Sequence, residues 1–161
     1  MGEKIIVGVG DLSVSNKPGV ELVTYSLGSC IGVLIHDPVA RVGGLLHLML
    51  PDSKLNSARA RKQPGVFADT GVPLLFRSAY SLGAKKGRLR VVVVGGSQVM
   101  DASGHFNIGK RNYAAVRKLF WRNNVLVDRE EVGGNVNRTV GLDVSTGRIW
   151  MKTNGAEVKT L

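Results

Sequence analysis

The sequence contains one cysteine, Cys30, among 161 residues. A lone cysteine excludes an internal disulfide, and nothing in the composition argues for export. The first ten residues show no basic patch followed by a long apolar run, so they do not resemble a secretory signal. No stretch approaches the roughly 18 consecutive apolar residues of a membrane helix. We therefore expect a cytoplasmic protein that does not insert into membranes.

Aromatic and acidic residues are also scarce. The chain has four Phe, three Tyr and two Trp, and 12 Asp and Glu against 22 Lys and Arg, which gives a net charge of +10. Such a basic surface attracts nucleic acid, anionic lipid or acidic proteins, or it simply keeps the protein soluble. No aromatic cluster is available to stack bases, so nucleic acid is the least favoured of these partners.

Patterns typical of metal and cofactor sites are missing. There is no Cys-x-x-Cys, no His-x-His and no pair of histidines at helical spacing. The glycine pairs lack the surrounding residues of a phosphate-binding or dinucleotide-binding loop. We expect neither a metal nor a cofactor, and the thiol remains as the candidate reactive group.

What the chain does have is 21 glycines and many short apolar segments, a combination that favours strands joined by turns. The fully apolar segment 91–94 predicts a central strand. The pattern predicts seven or eight strands and two helices that do not strictly alternate, hence an α+β fold in one domain over residues 1–161. Strands are expected at 4–9, 20–25, on both sides of the turn Asp37–Ala40, at 125–132 and in a hairpin at 141–153.

Two amphipathic segments predict the helices, at 68–82 and 108–122. Asp69 or Thr70 is expected to cap the first helix, Pro73 to fall in its first turn, and Gly83 to terminate it. The basic, aperiodic stretch 53–65 predicts an exposed loop.

A turn at Asp37–Ala40 brings the cysteine to a histidine. If Asp37 pairs with Ala40, counting back along both strands places Cys30 directly opposite His47, with Cβ atoms about 4.5 to 5.5 Å apart. At that reach the imidazole can take the thiol proton, form a thiolate–imidazolium pair and later protonate a leaving group. A buried, unreactive thiol and a hydrogen-bonded core histidine are the structural alternatives.

The residues before Cys30 predict an oxyanion-binding turn. The backbone N–H groups of Gly28, Ser29 and Cys30 can surround a developing negative charge, since glycine permits close approach. Thr24 has the parity to share the face of Cys30. His36 and His105 have no such partner and are interpreted as surface or turn residues.

At these residues the sequence resembles the CheD family of chemoreceptor glutamine deamidases. The similarity extends nearly end to end, and its most specific motif is Leu-Gly-Ser-Cys30 followed 17 residues later by His47 and then by Leu50-Pro51. The other matching segments are Tyr25–Leu27, Asp37–Ala40, Gly43-Gly44, Phe67–Thr70, Gly95-Gly96, Asn107–Gly109, Arg111-Asn112, Gly133–Asn135 and Arg138.

The resemblance implies a catalytic Cys–His–Thr site, which falls on Cys30, His47 and Thr24. It implies that glutamine side chains of methyl-accepting chemotaxis receptors are converted to glutamate with release of ammonia, as part of adaptation in chemotaxis. It also implies binding to a CheC-type phosphatase and a layered α/β sandwich similar to deamidating toxin domains. We expect the protein to be a monomer.

Other classes of function remain open from the residues alone. The same thiol chemistry serves a transglutaminase or a protease if the acyl group passes to an amine or if a peptide bond is cut. A binding module with an unused thiol is a third reading, and a basic nucleic-acid binder a fourth.

Overall fold

The computed structural model describes residues 2–98 and 107–161, which form two five-stranded sheets. The first sheet has the order β1-β3-β8-β9-β10 and the second the order β2-β5-β4-β6-β7. The predicted α+β layered sandwich is confirmed. The strands are β1 (Glu3–Ile6), β2 (Leu12–Ser15), β3 (Val20–Leu27), β4 (Ile31–Asp37), β5 (Val42–Leu48), β6 (Arg90–Gly95), β7 (Arg129–Val132), β8 (Arg138–Asp143), β9 (Ile149–Thr153) and β10 (Lys159–Thr160).

Two apolar layers hold the molecule together. One lies between the sheets and includes Leu22, Leu34 and Leu142. The other lies between the second sheet and the two long helices, α2 (Ala68–Ser81) and α3 (Ile108–Arg122). Because successive side chains of a strand point to opposite faces, β4, β5 and β6 supply both layers and are buried almost throughout. The order of layers is therefore sheet, sheet, helices.

The segment 53–65 is largely exposed, as predicted, but it is helical in part, so its prediction as a loop was wrong. It contains 3₁₀ turns at Ser53–Leu55 and Pro64–Val66 and the short helix α1 (Ser57–Lys62). The side chain of Asp52 caps the first turn and that of Asn56 caps α1, each by accepting a backbone N–H. Asx caps of this kind can start a short helix without any apolar periodicity, so the hydrophobic pattern of this segment did not indicate a helix.

The start of α2 also differs from the prediction. Phe67 is the capping residue, and no side chain caps this end. Asp69 binds Ser53 instead, at 2.9 Å to its backbone nitrogen and 2.6 Å to its hydroxyl, and Thr70 donates to the carbonyl of Pro64. Pro73 consequently lies beyond the first turn of the helix. Gly83 follows the helix with a φ of 101°, as expected of a terminating glycine.

The hairpin of β4 and β5 has a longer turn than predicted. Asp37 pairs with Val42, not with Ala40, and the register places Gly32 opposite His47. The predicted direct opposition of Cys30 and His47 was therefore wrong. Cys30 is the residue directly before β4, two positions before Gly32, and it therefore has the same parity as Gly32. This makes it a diagonal neighbour of His47 on one face of the sheet. The Cα atoms of such diagonal neighbours lie about 7 to 8 Å apart.

Candidate active site

A hydrogen bond between the sheets defines the candidate site. Thr24 on β3 faces inward from the first sheet and His47 on β5 faces inward from the second, with 2.7 Å between Thr24 Oγ1 and His47 Nδ1. Both side chains are almost completely buried, at 0% and 1% exposure. Thr24 was predicted to share the face of Cys30, and it lies on β3 of the first sheet, from which it points into the layer between the sheets that Cys30 borders.

The hydroxyl of Thr24 fixes the tautomer of the histidine. Thr24 Oγ1 lies 2.6 Å from the carbonyl oxygen of Val7, and a carbonyl can only accept, so the single hydroxyl proton is donated there. Thr24 must then accept from His47, whose proton is on Nδ1. The lone pair of Nε2 is left free, and Nε2 is buried with no hydrogen-bond partner among the described residues. A buried imidazole with an unused basic nitrogen is equipped to take a proton.

The backbone of His47 is held just as firmly as its ring. Its N–H donates to the carbonyl of Asp11 at 2.9 Å, and its carbonyl accepts the N–H of Gly10 at 2.7 Å. The N–H and C=O of His47 are therefore both directed at the segment before β2 and not at β4. The pair Gly32–His47 is consequently of the non-hydrogen-bonded type, in which the side chains of the two strands lie closest. A Cβ at Gly32 would lie 3.0 Å from Leu27 Cδ1 and 3.1 Å from Val94 Cγ2, so a side chain at this position would crowd the interlayer core.

Cys30 lies at the edge of the interlayer core, partly buried, at the end of the bend between β3 and β4. Burial raises the pKa of its thiol, partly offset by its own backbone N–H. Burial lowers the pKa of His47 to about 4, against a smaller opposing effect of Asp11. Both shifts favour the uncharged forms at neutral pH, namely the Cys30 thiol and the neutral imidazole of His47.

The backbone N–H groups of the bend before β4 are the candidate oxyanion donors. The N–H groups of Gly28, Ser29 and Cys30 donate to no backbone or side-chain oxygen within the described part of the chain. Unpaired N–H groups beside a nucleophile are the usual components of an oxyanion hole. Among residues 2–98 and 107–161, none of the three predicted donors has an oxygen acceptor.

The carbonyl groups of the same bend are all bound. Gly28 accepts the N–H of Ser97 at 2.8 Å, and Cys30 accepts the N–H of Gly96 at 2.9 Å. The carbonyl of Ser29 accepts from the side chain of Asn112 at 3.0 Å. Sequence reasoning noted Gly96 and Asn112 only as points of family resemblance and gave them no role, because no local pattern shows contacts so distant in the chain.

Of the other two histidines, His36 alone lies among the described residues. His36 was interpreted as a surface or turn residue, and this was wrong, since it is buried in β4 with Nε2 2.8 Å from the carbonyl oxygen of Val144. His105 lies outside the described residues. Over 2–98 and 107–161, no three His, Cys, Asp or Glu side chains gather in an arrangement able to hold a metal ion.

Comparison with known proteins decides the family. The family model described as CheD chemotactic sensory transduction matches residues 49–153. A probable chemoreceptor glutamine deamidase CheD 1 from Syntrophus aciditrophicus is 51% identical over 161 residues, covering 100% of both chains. The chain belongs to the CheD family. The resemblance to the CheD family predicted from the sequence is confirmed.

Two further CheD relatives extend the comparison. Proteins named probable chemoreceptor glutamine deamidase CheD from Solibacter usitatus and Syntrophotalea carbinolica are 48% and 46% identical, over 96% and 90% of this chain and 92% and 91% of their own. The family-model match begins at Met49 and so excludes Thr24, Cys30 and His47. The alignment with the Syntrophus CheD protein, by contrast, spans all three.

No helix among the described residues is long and apolar enough to cross a membrane.

Proposed function

We propose that this CheD protein is a protein-glutamine deamidase that converts glutamine side chains of methyl-accepting chemotaxis receptors to glutamate. Membership of a family whose relatives are named chemoreceptor glutamine deamidases supports the reaction and the substrate. The free Nε2 of His47, held by Thr24 in the layer that Cys30 borders, is the observation that supports thiol catalysis.

In the first half-reaction the Cys30 thiol attacks the side-chain amide carbon of glutamine. His47 Nε2 accepts the thiol proton as the S–C bond forms, so that no thiolate has to exist beforehand. The carbonyl oxygen becomes an oxyanion and is stabilised by the N–H groups of Gly28, Ser29 and Cys30. The imidazolium then protonates the amide nitrogen, the C–N bond breaks, ammonia leaves and a thioester remains on Cys30.

In the second half-reaction water attacks the thioester. His47 Nε2 takes a proton from the water, the same N–H groups bind the second oxyanion, and the C–S bond breaks. The proton returns to the sulfur, which restores the thiol. The net change is addition of water to a carboxamide to give a carboxylic acid and ammonia, with no cofactor required.

Thr24 acts by orienting the imidazole. Its hydroxyl accepts from Nδ1 and stabilises the imidazolium formed in each half-reaction, while the carbonyl of Val7 fixes the direction of that hydroxyl. A carboxylate at this position would raise the pKa of His47, whereas a neutral hydroxyl leaves it low. The site is thereby built for a base that is neutral at rest.

Mass spectrometry of a receptor fragment tests this proposal. We expect the wild-type protein to add about 1 Da at individual glutamines, as replacement of an amide by an acid requires. Cys30→Ala should produce no change above the spontaneous rate while retaining its fold by circular dichroism. Unchanged deamidation by Cys30→Ala would remove the thiol from the mechanism.

The same experiment separates the other thiol reactions. If an added primary amine is incorporated at glutamine in preference to water, the protein is a transglutaminase, and if the fragment is cut it is a protease. If no receptor glutamine changes but the fragment binds, the protein acts as a binding module.

The proposal includes a protein partner and an oligomeric state. A CheC-type phosphatase should bind the monomeric protein and compete with receptor fragments, and nucleic acid should not. The cytoplasm is the compartment in which such receptors expose their modification sites. Gel filtration of the protein alone and with the phosphatase checks both the monomer and the complex.

A further inference from the structure

Asn112 is a buried polar side chain that is not one of the three proposed catalytic residues. It lies on α3 with 0% exposure, and its side-chain nitrogen donates to two carbonyl oxygens, that of Ser29 at 3.0 Å and that of Met49 at 2.9 Å. Ser29 precedes the proposed nucleophile and Met49 follows His47 by two residues. One amide therefore ties together the two segments that carry the site.

The orientation of this amide is set by its surroundings. A primary amide nitrogen has two N–H groups, one for each carbonyl, whereas the amide oxygen would face both carbonyls with no proton between them. The amide oxygen of Asn112 has no partner among the described residues although it is buried. Leucine at this position would leave the buried carbonyls of Ser29 and Met49 without the two N–H donors of Asn112, which costs more than the apolar side chain returns.

Planarity of the peptide bond links these contacts to the reaction. In a trans peptide the C=O of one residue and the N–H of the next point in opposite directions. Asn112 holds the carbonyl of Ser29, and therefore the N–H of Cys30 is turned away from α3. Ser97 holds the carbonyl of Gly28 at 2.8 Å and turns the N–H of Ser29 in the same way.

Close packing of α3 against the β6 terminus makes this reach possible. Gly109 has no side chain where a Cβ would collide with the carbonyl oxygens of Gly96 and Ser97. The guanidinium of Arg138 supports the same segment by donating to the carbonyl of Gly95 at 3.2 Å and to Ser97 Oγ at 2.9 Å. The segment Gly95–Ser97, which donates to the bend, is therefore packed against α3 on one side and hydrogen-bonded to Arg138 on the other.

We propose that Asn112 is a positioning residue that aims the N–H of Cys30 at the oxyanion of the tetrahedral intermediate. It does not touch the substrate. It acts by clamping the carbonyl of Ser29 and by fixing that carbonyl relative to the strand of His47. The inference rests on the proposed deamidation, since an oxyanion forms only if the thiol attacks a carbonyl.

Two reactions of the same thiol distinguish this role from general support of the fold. Deamidation passes through an oxyanion and needs the aimed N–H groups, whereas alkylation of Cys30 by iodoacetamide does not form one. For Asn112→Ala we expect kcat for a receptor fragment to fall by about 10² to 10³-fold, the usual effect of losing one oxyanion donor. KM and the alkylation rate should stay within about threefold of wild type, because substrate binding and thiol access are unchanged.

Val116→Ala is the matched control. Val116 lies one turn further along α3, is also fully buried, and packs in the apolar layer between the helices and the second sheet. The substitution Val116→Ala should lower the melting temperature but leave kcat within about threefold of wild type. If Asn112→Ala does not fold, Asn112→Gln keeps both N–H groups on a longer side chain and should show the same divergence of kcat from alkylation.

Three results would overturn the inference. One is a kcat of Asn112→Ala near that of wild type, and another is a parallel loss of alkylation and kcat. The third is an equal loss of kcat in Val116→Ala. If the wild-type protein itself deamidates no receptor glutamine, the proposed function fails and the inference fails with it; an active wild type with an unaffected Asn112 variant refutes only the positioning role.

Discussion

At the scale of single residues, the site depends on one hydroxyl proton. Thr24 gives that proton to Val7, which obliges His47 to carry its own on Nδ1 and leaves Nε2 basic. Burial keeps the imidazole neutral, with a pKa of about 4, and keeps the Cys30 thiol protonated by raising its pKa. Both partners are consequently in the forms that general-base catalysis requires over the neutral range.

Thr24→Val is the residue-scale prediction. Valine preserves the shape but leaves Nδ1–H and the Val7 carbonyl without partners in a buried place, a loss of about 1 to 3 kcal/mol. We expect kcat to fall by about 10- to 100-fold, with a lower urea midpoint. Thr24→Ser retains the hydroxyl and should stay within about threefold of wild-type kcat; a fully active Thr24→Val would show that the hydroxyl does not orient the base.

Residue-scale reasoning from the sequence names Thr24, Cys30 and His47 as candidates, and the structure adds the hydrogen bond between Thr24 and His47. Cysteine and histidine stand out by their rarity, but the predicted pairing of Cys30 with His47 did not follow from it. The roles of Asn112 and Ser97 stayed hidden, because each acts on a carbonyl that lies far away in the chain and carries no side-chain signature.

At the scale of elements, the bend before β4 is shaped by the end of β6. Gly95 has a φ of 109°, and a Cβ there would collide with the carbonyl oxygen of Cys30. Strand β6 lies beside β4 in the second sheet, so any displacement of its last residue moves the bend as well. The glycine pair noted in the sequence is therefore a packing requirement of the site.

Gly95→Ala is the element-scale prediction. The positive φ and the collision together should cost at least about 2 kcal/mol, seen as a fall in melting temperature of about 4 to 8 °C. Deamidation should fall with it, because the bend must shift. Gly87→Ala is the control, since an added Cβ there meets nothing within 4 Å, and it should change stability by no more than about 0.5 kcal/mol. Equal effects of the two changes would contradict this reading.

The hairpin shows where element-level prediction from sequence failed. Its turn was recognised from Asp37-Pro38, but its length was not, because Asp37 is fixed by distant groups. Its carboxylate accepts from Ala40, from the backbone of Lys85 at 2.9 Å and from Arg88 at 2.9 Å. Arg41 adds a φ of 55°, and the extended turn moves the register away from the predicted pairing.

At the scale of the whole molecule, charge is the dominant feature. The chain carries 22 Lys and Arg, and among the described residues five of them form ion pairs with carboxylates, namely Lys17, Arg88, Arg117, Arg129 and Lys159. Most of the positive charge is therefore uncompensated by local pairing. A net charge of +10 accelerates the approach of an acidic partner. This electrostatic attraction weakens as salt is added, because salt screens the charges.

The salt dependence of deamidation is the prediction at this scale. Between about 0.05 M and 0.5 M salt, kcat/KM for an acidic receptor fragment should fall by roughly tenfold, while kcat stays constant. A neutral glutamine peptide is the control and should show little change. If kcat/KM for the fragment is flat across this range, the basic surface serves solubility and not association.

The measurement that tests the central claim most directly is a titration of the single thiol. Because Cys30 is the one cysteine of the chain, the fraction alkylated by iodoacetamide can be read without ambiguity from the intact mass. The proposed mechanism predicts that deamidation of a receptor fragment falls in proportion to that fraction and vanishes at complete alkylation. Deamidation that persists in fully alkylated protein would contradict the assignment of Cys30 as the nucleophile.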